Sequence, residues 1–253
     1  MESLRELYKI GCGPSSSHTM GPHMAAEQFN RRWPQASAFR VTLYGSLAAT
    51  GKGHLTDFTL REAFYPKPVD VVFDMQTRIK KHPNALKFQA LDQAGHIMDS
   101  YMVYSIGGGA IRDDENFGKQ VNNIYPHKSM NEILQYTSDK RMLLWEYVEE
   151  CEGADIWNYL TEVWTTMKDT MNRGLSKRGV LPGSLNLERK AQRYLYKAES
   201  SPQYLRRMNN LFAYALACSE ENASGGIVVT APTCGSCGVV PAVCRLGQEI
   251  CEF

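Results

Sequence analysis

Four hydroxyls and an imidazole stand in one row at Ser15-Ser16-Ser17-His18-Thr19, directly ahead of a helix start. Pro22 suits a first helical turn, and Met24, Ala25, Phe29 and Trp33 follow at helical spacing. The first turn of a helix carries free N–H groups and the positive end of the dipole, so it attracts anions. The segment reads as a pocket for a small carboxylate or phosphate, with a titratable His18 at its lip. The same hydroxyls would also serve as an elaborate N-cap. A second cluster lies at Tyr44–Asp57, where Gly51-Lys52-Gly53-His54 tempts assignment as a phosphate-binding P-loop. The spacing fails, because Thr50 stands where the second glycine is needed and Gly53 stands where Ser or Thr should follow the lysine. What remains is a small-residue loop after a strand, presenting Lys52 and His54. An imidazole with an ordinary pKa of about 6.5 suits proton abstraction at neutral pH; a solvated loop histidine is the plainer alternative. The third cluster is the Cys234-Gly235-Ser236-Cys237 pair in Ala231–Val243. No second Cys or Cys/His pair completes a zinc site at normal spacing. A thioredoxin-like pair needs a preceding strand and a following helix, whereas the upstream sequence reads as helical. Ligation of an iron–sulfur cluster, with glycine N–H groups facing the sulfurs, is the third option. Spacing does not choose among the three.

The elements that must carry these clusters change character along the chain. Phe39, Val41 and Leu43 alternate with Arg40, Thr42 and Tyr44 and predict a half-buried strand. Val69–Phe73 and Met98–Ile106 predict two more, the last ending in Gly107-Gly108-Gly109. From about Ser138 only helices are expected. Ile156, Leu160, Val163, Trp164, Met167 and Met171 fit a period of 3.6, with Gly174 as the C-cap. Ser201-Pro202 opens another helix, with Leu205, Met208, Leu211, Phe212, Ala215 and Leu216 on one apolar face. The interruption between Tyr125 and Ser138 divides the chain into an α+β part, 1–135, and an all-helical part, 136–253.

A chain of 253 residues that is 43% hydrophobic and 22% charged has room for a real core in one or two domains. A net charge of +1, from 28 basic and 27 acidic residues, gives no footprint for nucleic acid or an anionic membrane. No apolar run reaches membrane-spanning length, and the N-terminus has no signal-peptide core. A cytoplasmic protein is expected. In that compartment seven cysteines, an odd number, argue against a disulfide framework.

Taken in order, the clusters resemble one family, the bacterial iron–sulfur-dependent L-serine dehydratases. The resemblance rests on Gly13–Pro22, Tyr44–Asp57 and Tyr104–Ile111 in the first half. In the second half it rests on Arg173-Gly174, Gly179–Gly183, Glu221–Gly226 and the Ala231–Gly238 loop. It implies an N-terminal domain similar to the allosteric substrate-binding domain of some phosphoglycerate dehydrogenases, followed by a helical domain holding a [4Fe-4S] cluster through three cysteines. It also implies loss of water from L-serine to give pyruvate and ammonia, with the cluster as Lewis acid on the substrate hydroxyl. By the same resemblance His54 is the expected base and His18 the second candidate. Ser15, Ser16, Ser17, Thr19 and Lys52 are the expected substrate-binding residues. The family's first cluster cysteine falls on Cys237, whereas Cys234 stands where the family usually has Asn. Cys244 and Cys251 lie too near Cys237 to be the remaining ligands. The chain ends at Phe253, short of the family's further helical region, so a truncated product that does not stably hold the cluster alone is expected. A homodimer is expected, with L-serine as substrate and neither nucleic acid nor membrane as partner. Pyridoxal phosphate would instead need a Schiff-base lysine, for which Lys52 is the candidate. A non-catalytic serine-binding module is the reading from another class.

Overall fold

A computed structural model of the protein describes residues 1–118 and 123–251. The final residue Phe253 therefore lies outside the described residues. Helix α1 (Leu4–Leu7) and strand β1 (Ile10–Cys12) lead into a π-helical turn at Ser16–Met20, which runs on as α2 (Gly21–Arg32). Strand β2 (Ala38–Tyr44) is followed by α3 (Gly45–Thr50), α4 (Thr56–Phe64) and β3 (Val69–Asp74). Strands β4 (Ala85–Leu91), β5 (Ile97–Gly107) and β6 (Ala110–Asp113) complete the first half. The second half holds α5 (Met130–Lys140), α6 (Leu144–Glu152), α7 (Ile156–Ser176), α8 (Ala191–Glu199) and α9 (Gln203–Ala223). A short β7 (Ile227–Val229) then precedes α10 (Val239–Cys251). The protein is thus α+β in its first half and almost wholly helical after it.

The five-stranded sheet has the order β3-β2-β4-β5-β6. Only β2 and β3 run parallel, and a parallel pair needs a crossover. Here α3 and α4 form that crossover and carry Lys52 and His54 between them. The alternation in β2 is real: Phe39, Val41 and Leu43 are buried and Arg40 is exposed. Their inner face meets α2 and α4 in a core of rings. Phe39 stacks on Phe64 at 4.3 Å between centroids, and Phe29 lies 5.5 Å from Phe88. Burying such side chains contributes about 2–3 kcal/mol each, which fixes α2 and the turn at its head against the sheet.

The helical half differs from expectation at three points. Gly174 lies inside α7, whose C-cap is Lys177. Its role is close packing: a Cβ there would stand 2.2 Å from the Ala217 carbonyl oxygen of α9. The buried apolar positions of α9 are Ala213, Tyr214, Ala217 and Cys218; of the expected core face, Leu211, Ala215 and Leu216 pack partly buried against that core, whereas Leu205, Met208 and Phe212 are exposed. Finally, a strand does precede the Cys234–Cys237 turn. Strand β7 pairs antiparallel with β1, Ile10 opposite Val229 and Cys12 opposite Ile227. This pairing draws residues 1–12 onto the helical half, where Tyr8 packs with Val163, Met167 and Val229. No described helix is long and apolar enough to cross a membrane.

Candidate functional site

The hydroxyl-rich segment is clamped from both halves of the chain. Gly13 N–H donates to the Gly226 carbonyl at 2.9 Å, and Asn222 Nδ2 donates to the Pro14 carbonyl at 3.3 Å. A Cβ on Gly13 would lie 2.3 Å from the Asn222 carbonyl oxygen, so only glycine allows this approach. Ser15 is extended, and its Oγ accepts from His18 N–H at 3.2 Å, capping the π-helical turn. Thr19 and Met20 N–H groups both donate to the Ser15 carbonyl. The N–H groups of Ser16 and Ser17 open the turn without an intrahelical acceptor, the arrangement that favours an anion. Ser16 and Thr19 are buried, while Ser15, Ser17 and His18 are half-buried.

His18 is held at both ring nitrogens. Ser17 Oγ lies 3.0 Å from Nδ1 and Ser46 Oγ lies 3.0 Å from Nε2. A neutral imidazole donates at one nitrogen and accepts at the other, so the two hydroxyls complete its hydrogen bonding. Burial lowers the His18 pKa below the usual histidine value, and the neighbouring His54 lowers it further; hydrogen bonding to the Ser46 backbone opposes both. Ser46 is placed by the β2–α3 junction. Gly45 takes φ +54°, and a Cβ there would stand 2.3 Å from the Pro83 carbonyl, which also accepts from Ser46 N–H at 2.9 Å.

His54 sits on the α3–α4 loop with its ring centroid 4.8 Å from that of His18. Two hydroxyl–carbonyl bonds cross between the segments. Thr19 Oγ1 donates to the His54 carbonyl at 2.9 Å, and Thr56 Oγ1 donates to the His18 carbonyl at 2.6 Å. Thr19 and Thr56 are buried, so this clasp sets how the two imidazoles face each other. The His54 imidazole makes no hydrogen bond among the described residues and is half-buried, leaving its nitrogens open to a ligand. Lys52 is exposed, and its ammonium rests 5.4 Å from the Phe73 ring centre. The structure therefore brings Ser15, Ser16, Ser17, His18, Thr19 and His54 together and leaves Lys52 turned to a ring outside the turn. Ser46 and Thr56 are the members that sequence reasoning missed. Both stood inside the Tyr44–Asp57 motif, and a hydroxyl beside a candidate histidine was the available signal. Two cavities lie elsewhere. One of about 550 Å³ is rimmed by Lys177, Arg178, Arg189 and Arg193, and one of about 1110 Å³ lies between the N-terminal residues and α5–α6.

Cys234 and Cys237 belong to a buried patch of the helical half. Cys237 N–H donates to the Cys234 carbonyl at 3.2 Å, a tight turn between them. Cys234 Sγ contacts Met20 Sδ at 3.7 Å, directly behind the hydroxyl turn, and Cys237 Sγ faces the Cys218 carbonyl at 3.7 Å. Burial pushes the thiol pKa values up to about 12 for Cys234 and about 11 for Cys237, so both are neutral thiols. Cys244 and Cys251 are exposed on α10. Among the described residues, no group of three or more His, Cys, Asp or Glu could hold a metal ion. These residues do not make the three-cysteine site that the family resemblance implies for an iron–sulfur cluster.

Comparison with known proteins gives a consistent result. The family model for the serine dehydratase beta chain matches residues 3–62, and that for the serine dehydratase alpha chain matches residues 74–252. The chain is similar to an L-serine dehydratase of Haemophilus influenzae and to L-serine dehydratase 1 of Escherichia coli, at 35% identity in both cases, with 96% of this chain and 65% of each relative covered. Similarity to an L-serine dehydratase of Streptomyces coelicolor is 32%, covering 95% of this chain and 65% of that protein. The chain thus spans about 65% of the length of these relatives.

Proposed function

From its place in the serine dehydratase family, to which this chain belongs, we propose that it acts in the α,β-elimination of water from L-serine, giving pyruvate and ammonia. The observation that carries the reading is the His18–His54 pair, 4.8 Å apart and clasped to a turn of hydroxyls and free N–H groups. In this reading the substrate carboxylate lies at the start of the Ser15–Thr19 turn, where the N–H groups of Ser16 and Ser17 and the Ser15 and Ser17 hydroxyls converge. His54 takes the α-proton, because its ring nitrogens are uncommitted. His18, tied at both nitrogens, orients the pocket and is the second base candidate. Holding the carboxylate fixed while an imidazole stands over the α-carbon is the positioning that lowers the barrier.

Departure of hydroxide needs an electrophile. The family resemblance implies a [4Fe-4S] cluster in that role, with Cys237 as one ligand. The described residues of this chain do not make its site, so no step is assigned to it. That mismatch favours a second reading for the isolated chain, a module that binds L-serine without turning it over. Calorimetry with L-serine, paired with a pyruvate assay on iron- and sulfide-reconstituted protein, separates the two. Binding with pyruvate release that His54→Ala abolishes supports the lyase. Binding with no pyruvate in any reconstituted sample supports the module, and absence of serine binding removes both.

A further inference from the structure

The hollow of about 550 Å³ lies between the α7–α8 connection and one side of α8. Five cations line it, Lys177, Arg178, Arg189, Arg193 and Lys197, against one carboxylate, Glu188. The whole chain carries a net charge of only +1, so positive charge is concentrated here. Both walls are built. In the connection, Leu181 N–H donates to the Leu187 carbonyl at 2.7 Å and Arg189 N–H to the Gly179 carbonyl at 2.8 Å, with Val180 bridged to Glu188 between them. On α8, Gln192 and Tyr196, and Arg193 and Lys197, recur at a spacing of four and so share a side of the helix. Arg178 joins the walls. Its Nε donates to the Gln192 side-chain oxygen, and its Nη2 donates to the Tyr196 hydroxyl at 3.1 Å. Both partners are neutral, so the guanidinium is held in place with its charge uncompensated.

The five cations differ in what neutralises them. Lys177 and Arg189 share the buried Glu221 with Arg173. Arg178, Arg193 and Lys197 pair with no carboxylate among the described residues. Arg193 makes no hydrogen bond there either, and the Lys197 ammonium rests 5.5 Å from the Tyr194 ring centre. Uncompensated like charges around one hollow repel each other, and an anion between them relieves the repulsion. The guanidinium fork matches the paired oxygens of a phosphate or a carboxylate. A carboxylate presents its two oxygens along one edge, whereas a phosphate carries oxygens on every side and can be held from the connection and from α8 at once. The volume suits a small molecule. We propose that this hollow binds a small phosphate-bearing molecule of two or more negative charges. Arg178 and Arg193 grip the phosphate from the two walls, and Lys197 adds a point charge. The inference stands on the charge and shape of the hollow and rests neither on family membership nor on the proposed reaction.

The test is calorimetry of the whole chain with inorganic pyrophosphate, at an ionic strength of about 0.15 M held constant with chloride. The expected result is saturable one-to-one binding, with amide exchange slowed over 177–180 and 188–200. Citrate, a polycarboxylate of comparable charge, should bind about tenfold more weakly or less. Arg193→Gln removes a side chain that makes no bond in the fold. It should weaken pyrophosphate binding by about tenfold or more and leave the melting temperature of the free protein unchanged. Arg178→Lys keeps the charge and loses the fork, and should weaken binding as well. Arg40→Gln, at an exposed arginine of the sheet, should change nothing. Absence of saturable binding, an equal loss with Arg40→Gln, citrate binding as tightly as pyrophosphate, or protection away from the hollow overturns the proposal. L-Serine binding is a separate titration, so its failure leaves this result standing.

Discussion

Replacing Thr56 by Val keeps the shape of the side chain and removes the hydroxyl that reaches the His18 carbonyl at 2.6 Å. Thr56 is fully buried, so no water can take the hydroxyl's place without rearrangement. Leaving a buried acceptor without its partner costs about 1–3 kcal/mol. Thr19→Val does the same at the His54 carbonyl, from a site only 1% exposed. The two bonds cross between the same two segments, so neither change should be independent of the other. Once one bond is gone, the joint loosens and the second bond is worth less. The double variant should therefore be destabilised by less than the sum of the singles, with a coupling of about 0.5 kcal/mol or more. Urea unfolding of the four proteins of the cycle measures this, provided the slope with denaturant stays constant. Histidine ring spectra report whether His18 and His54 move apart. Single changes below about 0.5 kcal/mol, simple additivity and unmoved rings would together refute the idea that the clasp sets the imidazole pair.

Three further outcomes follow from the packing and charge. The His18 pKa is lowered in the folded protein, so the unfolded chain binds a proton first as pH falls. The stability this gives is complete above about pH 6.5 and is lost as pH drops towards the folded value; His18→Gln should flatten the pH dependence of the melting temperature there. Gly174→Ala would place a methyl 2.2 Å from the Ala217 carbonyl, forcing α7 and α9 apart. Overpacking of about 1–3 kcal/mol should outweigh the gain in helix propensity and lower the melting temperature, where an unconstrained site would show a rise. Glu221 is 1% exposed and pairs with Arg173, Lys177 and Arg189, of which Arg189 is 7% exposed. Glu221→Gln leaves Arg189 buried without its carboxylate, and a loss of about 3 kcal/mol in urea unfolding is expected, because the other two partners face solvent.

Legibility in the sequence followed the range of the interactions. Strand β2 announced itself by alternation, because one of its faces meets water and the other the ring core. The turn at Ser16–Met20 and the histidine loop were found as clusters of reactive types, and their meeting was not derivable from spacing. It depends on the β2–α3–α4–β3 crossover and on the pairing of β1 with β7, contacts that join residues far apart in sequence. Ser46 and Thr56 were missed for the same reason, since each acts on a residue from another segment. Gly174 reads as a terminator because glycine often ends a helix, but the close approach of α9 at that point demands a residue without a side chain. Leu211, Ala215 and Leu216 of the expected α9 face do pack against the helical core, and the exposure of Leu205, Met208 and Phe212 is not legible because periodicity identifies an apolar stripe without saying how much of it the described fold covers.

In the proposed reading the Ser15–Thr19 turn and the His54 loop form one site for L-serine. Nuclear magnetic resonance of the histidine rings during titration with L-serine tests it most directly. The His18 and His54 signals should shift together along one binding curve, and Thr56→Val should weaken that curve for both. Serine binding that moves only one of the two rings, or neither, would contradict the account.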